Sequence, residues 1–168
     1  MTKQVDSWRF VDAVTRKILK TWIGREPKRK IPWTPLSKPL SECTVALVSS
    51  GAIALKTDIP FDQEGERQNP WWGDPSYRKI PKDSTEEDVE VYHLHIDPTF
   101  GRQDLNCLLP VNRLAELEAS GEIGRQSPRH FSYMGYTIDP RELLEDTTPD
   151  IIGDLREDGV DVVLLVPT

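Results

Sequence analysis

The segment Val160-Asp161-Val162-Val163-Leu164-Leu165-Val166 restricts what this chain can fold into more than any other part of it. A nearly unbroken apolar run of this length is too short for a buried helix, and it lacks the alternation that would leave one face to water. It therefore reads as a central parallel strand, buried on both faces. A second run of the same character, Thr44-Val45-Ala46-Leu47-Val48-Ser49, leads into Ser50-Gly51. That pattern predicts a buried parallel strand ended by a tight turn.

Helix signals separate these strands. Trp8, Val11, Val14, Ile18 and Trp22 fall three to four residues apart, the spacing of one helix face over Ser7 to Trp22, with Asp6 or Ser7 as cap. Asn112 to Ser120 carries Leu114 and Leu117 and is closed by Gly121 at the position after the C-cap. Asp139-Pro140 and Thr148-Pro149 each place a capping side chain before a proline, which predicts two further helices. The second is expected to bury Ile151, Ile152 and Leu155 and to stop at Gly159. Val89 to Ile96 returns to strand character before Asp97-Pro98 breaks it, and Tyr133, Met134 and Tyr136 are expected to fill the interior. Strands alternating with crossovers predict an α/β fold with an open, mainly parallel, doubly wound sheet of Rossmann or flavodoxin-like type.

Most of the 14 prolines cluster between Pro27 and Pro39 and between Pro60 and Pro81. The first cluster predicts an extended strap over Arg25 to Pro39, so that residues 1–40 form a helix and strap packed on one domain spanning 1–168. The second lies in residues 56–88, where no clear period is visible. A loop that long in a compact domain is commonly functional, and Trp71-Trp72 within it suggests a lid or a partner-docking patch.

With 21 basic against 28 acidic residues and no long basic stretch beyond Lys28-Arg29-Lys30, the balance disfavours a nucleic-acid role. Met1 to Phe10 lacks an apolar signal core, and no run of about 18 apolar residues exists that would span a bilayer. The expectation is a cytoplasmic protein with no membrane span. Cys43 and Cys107 then read as reduced thiols, more often packed than catalytic because neither lies in a Cys-x-x-Cys.

A central strand needs a neighbour on each edge, yet the sequence ends at Pro167-Thr168. The sheet is expected to be incomplete at its carboxyl end, with a terminal edge strand of a complete small domain as the alternative. In open α/β sheets ligands bind beyond the carboxyl ends of strands, where the following helix N-terminus stabilises an anion. The turn after Thr168 is thus the expected place for chemistry, where a thiolate or selenolate would be nucleophilic at neutral pH.

Single motifs leave more than one reading. Ser50 and Gly51, at the carboxyl end of the first strand, offer backbone N–H groups to a carboxylate or form a plain turn. His93, His95 and Asp97 share one face if the strand continues that far, and resemble part of the His-x-His-x-Asp-His core of metallo-hydrolases. Pro98 stands where the closing histidine belongs and His130 is the only other histidine, so the expectation is no metal, with a structural or substrate-contacting role for these histidines instead. Asp104 and Asn106 are read as caps of the approaching helix.

Several short segments, weak singly, combine in order and spacing. They are Asp6-Ser7-Trp8-Arg9-Phe10-Val11-Asp12, Ile31-Pro32-Trp33-Thr34-Pro35-Leu36, Cys43 to Ser50, Pro60-Phe61-Asp62 and Gly73-Asp74-Pro75-Ser76-Tyr77-Arg78. His93-Leu94-His95, Asp104-Leu105-Asn106, Leu109-Pro110-Val111-Asn112-Arg113-Leu114, Gly121-Glu122-Ile123-Gly124 and Gly159 to Thr168 complete the series. Together they resemble the selenoprotein B family of glycine, sarcosine, betaine and D-proline reductases, the D-proline branch most. The resemblance implies a selenocysteine or cysteine directly after the last strand's Pro-Thr. The catalytic residue is then expected immediately after Thr168, where a selenocysteine codon read as a stop would end the chain.

The resemblance further implies reductive cleavage of a C–N bond in a small amino acid or amine, in a hetero-oligomer. A pyruvoyl carbonyl on a partner subunit would hold the substrate amine as an iminium while the selenolate attacks carbon. No cofactor is expected in this chain itself. Ser50, Gly51, His95, Asp97 and Thr168 are the expected substrate contacts. A non-catalytic binding or assembly domain, or an inactive truncated fragment, is the competing reading.

Overall fold

In the computed structural model of the chain, residues 11–25, 34–69 and 71–168 are described. The polypeptide divides into two compact units, Met1–Pro35 and Leu36–Thr168. The first holds helix α1, Ala13–Ile23. Asp12, rather than Asp6 or Ser7, caps it: its Oδ1 accepts the N–H groups of Val14 at 2.9 Å and Thr15 at 3.0 Å. The helix therefore starts later than the periodicity predicts, while Asp6, Ser7 and Trp8, and most of the expected proline strap, lie outside the described residues.

The second unit is built on β1, Thr44–Ser49, every residue of which is buried. A strand has two edges, and β1 uses both. Along one runs β7, Val162–Val166, parallel and in register from Val45↔Val162 to Ser49↔Val166. The other edge is shared by β5, Arg125–Gln126, and β6, Arg129–Tyr133, both parallel to β1. Pro128 separates these two pieces, and in the gap the N–H of Leu47 donates to Nδ1 of the fully buried His130 at 3.2 Å. An imidazole thus accepts the bond that a ladder carbonyl would otherwise take. Beyond β6 lies β3, Tyr77–Pro81, antiparallel. The architecture is the expected open, mainly parallel α/β sheet.

Several expectations are corrected. Residues 56–88 are not one loop: they contain α2, Gln63–Gln68, and β3. The strand predicted over Val89 to Ile96 is only β4, Val89–Val91, which pairs antiparallel with β2, Ile53–Leu55, in a separate two-stranded sheet. β7 pairs with β1 along its inner edge. No described strand pairs with its outer edge, and Val163, Leu164 and Leu165 are exposed because each face is only partly covered.

Thr148-Pro149 does not begin a separate helix either. A π-helical turn at Leu143–Thr147 runs directly into α5, Thr148–Glu157. Proline provides no N–H to the preceding turn, and the wider turn accommodates that loss, with Thr148 Oγ1 donating to the Leu143 carbonyl at 2.6 Å. Within α5, Ile151 is buried and Leu155 packs beside it, but Ile152 is exposed.

The remaining elements are α3, Thr99–Gln103, and α4, Val111–Ala119. As expected, Asn106 caps α4, its Oδ1 accepting from Asn112 N–H at 3.0 Å, and Asp104 holds Asn106 in turn. Gly121 and Gly159 follow the helix ends with φ of 75° and 65°, a conformation open to glycine. Val111 and Leu114 of α4 pack with Val45 and Leu47 on one face of β1, while Ile151 of α5 packs with Val48 and Phe131 on the other. Met134 is buried as expected, whereas Tyr133 and Tyr136 are only partly so.

Candidate functional site

Because β1 and β7 run parallel in register, the residues that follow them meet at one end of the sheet. Ser50 N–H donates to the Val166 carbonyl at 3.1 Å, and Ser50 Oγ accepts from Thr168 N–H at 2.9 Å and lies 2.9 Å from Thr168 Oγ1. One hydroxyl therefore ties the end of the polypeptide to the first strand. Gly51 N–H donates to Ser49 Oγ at 3.1 Å, and Ser49 Oγ donates to the Leu108 carbonyl at 2.7 Å. The amides of Ser50 and Gly51 are thus engaged inside the fold, and Gly51 bridges to Met134.

Beside this junction opens a groove of about 420 Å³, lined by Asp97, Phe100, Cys107, Leu108, Pro167 and Thr168 among others. The groove brings together Asp97 and Thr168, two of the residues named from the sequence, with Ser50 bonded to Thr168. Asp97 Oδ1 accepts from Thr99 N–H at 3.0 Å, and its bonds to Thr99 hold the carboxyl below the usual carboxylate range. It stays ionised at neutral pH. Cys43 is packed as expected, but Cys107 is exposed on this groove, because the 3₁₀ turn Leu105–Cys107 buries Leu105 and turns the thiol outward.

His95 stands apart, in a cluster that its own motif did not suggest. Its Nε2 lies 2.9 Å from Oε1 of Glu66, a side chain only 1% exposed, and its ring stacks on Tyr136 with centroids 3.8 Å apart. His93 meets it edge-on at 5.9 Å, and His93 Nδ1 accepts from His95 N–H at 3.1 Å. Burial raises the Glu66 pKa against the opposing effect of the His95 bond, and burial lowers that of His93. The second carboxyl oxygen of Glu66, Oε2, is buried without a hydrogen-bond partner among the described residues.

Local sequence explains how Glu66 gets there. Asp62 caps α2 by accepting from Gly65 N–H at 2.8 Å, and Gln63 Nε2 donates to the Tyr92 carbonyl at 2.6 Å, which presses the helix against the segment entering His93. Tyr136 is placed by Gly73: a Cβ there would lie 1.9 Å from the Tyr136 carbonyl oxygen, so only glycine allows the approach. Glu66 was missed by sequence reasoning because the helix Gln63-Glu64-Gly65-Glu66-Arg67-Gln68 has no apolar stripe to reveal a buried face. The one available signal was Asp62 as a helix cap.

His93, His95 and Asp97 do not share a strand face, since β4 ends at Val91 and Asp97 lies in the turn before α3, accepting from Thr99 N–H. His130 sits in the sheet core. Among the described residues no group of three His, Cys, Asp or Glu side chains is arranged to hold a metal ion, and no helix is long and apolar enough to cross a membrane.

Comparison with known proteins connects this arrangement to a family. Residues 9–168 match the glycine/sarcosine/betaine reductase selenoprotein B family. The chain is 35% identical over 133 residues to D-proline reductase subunit gamma of Acetoanaerobium sticklandii, covering 79% of this chain and 52% of that protein. It is 32% identical over 139 residues to glycine reductase complex component B subunit gamma of Carboxydothermus hydrogenoformans, covering 83% of this chain and 31% of that protein. Betaine reductase complex component B subunit beta of Peptoclostridium acidaminophilum is 26% identical over 170 residues, covering 94% and 37%. The chain thus spans about half the length of the first relative and about a third of the other two. No solved structure matches it. By the extent of the match, which takes in β1, β7 and the groove at their ends, the chain belongs to the glycine/sarcosine/betaine reductase selenoprotein B family.

Proposed function

We propose that this chain forms the front part of a reductase complex subunit that cleaves the C–N bond of a small amino acid such as D-proline. The redox group in this reading is a selenol or thiol on the residue that follows Thr168. The observation that carries it is the groove at the carboxyl ends of β1 and β7, where Pro167 and Thr168 form part of the wall. A soft nucleophile attached next to Thr168 would open onto a space large enough for a proline-sized molecule. The bond network on Ser50 holds Thr168 in place, so the following residue starts from a fixed position.

The groove's chemistry suits an amine. Asp97 presents an ionised carboxylate to a substrate ammonium, and Phe100 and Leu108 provide apolar contact for the carbon skeleton. A pyruvoyl-type carbonyl would supply the electron sink for C–N cleavage. This chain contains no Thr-Cys or Ser-Cys pair from which such a group could arise, which favours its location on a partner subunit in a hetero-oligomer.

The test is to produce the protein with selenocysteine or cysteine after Thr168, continued as in its longer relatives, and to combine it with a pyruvoyl-containing subunit. Thiol-dependent ring opening of D-proline, or C–N cleavage of glycine or sarcosine, is expected, and serine at the same position abolishes it. A native coding sequence that ends at codon 168, together with no turnover in the reconstituted complex, would overturn the reading.

A further inference from the structure

We propose that His95, seated on the buried carboxylate of Glu66, is the catalytic base that takes the proton from the ammonium group of the substrate. The inference rests on the reductase reading above and names the atom that acts: Nδ1 of His95.

The geometry separates the two ring nitrogens. Nε2 faces Glu66 Oε1 at 2.9 Å, so a carboxylate there selects the tautomer with hydrogen on Nε2. Nδ1 then carries the lone pair, has no hydrogen-bond partner among the described residues, and belongs to a side chain 45% exposed. Stacking on Tyr136 and the edge contact from His93 fix the ring plane. Glu66 is the positioning residue. Its Oε2 is buried with no donor among the described residues, an arrangement costly for a group with only a structural task and common where charge must be absorbed. The charged and titratable groups acting on this carboxyl are His95, Arg67 on its own helix and Asp74. His93 stands behind His95 and is held neutral by burial.

Connectivity ties the pair to the groove's wall. Thr168 bonds Ser50, the Ser50 carbonyl accepts from Gly135 N–H at 3.0 Å, and the next residue, Tyr136, stacks on His95. His95 also directly precedes Ile96 and Asp97, which line the groove wall. An amine reaches the site as an ammonium ion, whose titration lies near pH 10 (about 10.4 for an alkylammonium), and it attacks a carbonyl only as the free base. In the proposed step the substrate N–H bond breaks and its electron pair stays on nitrogen. An N–H bond forms at Nδ1, and the positive charge moves onto a ring that faces a carboxylate. Nothing is oxidised or reduced.

Two measurements test this. In the chain alone, nitrogen NMR is expected to show the Nε2–H tautomer of His95, lost in Glu66→Met, while carboxyl carbon NMR shows Glu66 titrating above an ordinary glutamate. Equal tautomers, or an ordinary Glu66, overturn the pairing whatever the protein's activity. In the reconstituted complex, His95→Gln is expected to lower kcat/KM about 10²- to 10⁴-fold at pH 7. Its activity should then climb about tenfold per pH unit toward the amine's own titration, as free base accumulates. Glu66→Asp restores part of the wild-type profile and Glu66→Gln does not. A pH-independent loss, or full activity in His95→Gln, overturns the inference and leaves the reductase reading intact. An inactive wild-type complex with the NMR signature present counts instead against the reductase reading and, with it, this step.

Discussion

The two flanks of β1 are both parallel pairings, yet they are built differently. On the β5–β6 flank the ladder is broken at Pro128 and a side chain, His130, accepts the Leu47 amide, but the side chains are sealed: Phe131, His130 and Ser132 are all fully buried. On the β7 flank the register is unbroken over five residue pairs, while Leu164 and Leu165 are 50% and 70% exposed. Regular backbone pairing and burial of side chains are thus separable. The first flank contributes fully buried side chains, and the second places Thr168 against Ser50.

Three experiments sharpen or break this contrast. Phe131→Ala removes a fully buried ring between β1 and α5 and is expected to cost about 3–5 kcal/mol in urea unfolding. A loss under about 1 kcal/mol would mean that the sealed flank is not where stability resides.

The second concerns His130, whose pKa burial pushes down to about 4 from its ordinary 6.5. The unfolded chain protonates this histidine first, so stability from it is complete above pH 6.5 and declines as pH falls toward 4. The decline is at most about 3 kcal/mol. Denaturation across that range, compared with His130→Gln, isolates the contribution; equal slopes in the two proteins would remove His130 from its assigned role.

The smallest effect is expected on the other flank. Leu165→Lys should change the stability of this chain by no more than about 0.5 kcal/mol, because most of that side chain already meets water. A loss of 2 kcal/mol or more would show that β7 is better covered than its exposure indicates.

The parts of the fold legible in the sequence were those in which one residue class dominates a segment. Thr44–Ser49 and Val162–Val166 are apolar throughout, and α4 carries both an apolar stripe and its Asn106 cap. β6 was not legible because its interior positions include polar residues: His130 accepts from Leu47, and Ser132 Oγ accepts from Ile53 N–H at 2.8 Å. β2 and β4 are three residues each, too short to establish a period. For β7, composition reports that the strand is apolar and not which neighbours it has. At the groove, Ser50 and Thr168 were legible from strand ends and Asp97 from the His93-x-His95-x-Asp97 spacing, whereas Glu66 depends on a tertiary approach of α2 to His95 that no local pattern encodes.

The contact at Gly73 governs how the tryptophan-bearing segment can behave. With no room for even a methyl group against the Tyr136 carbonyl, that segment is bolted to the exit from β6. Asp74 adds a second fastening by accepting the Asp62 and Ser76 amides. Trp71 projects into solvent just before this anchored stretch, while Tyr136, held at the contact, is the platform on which His95 stacks.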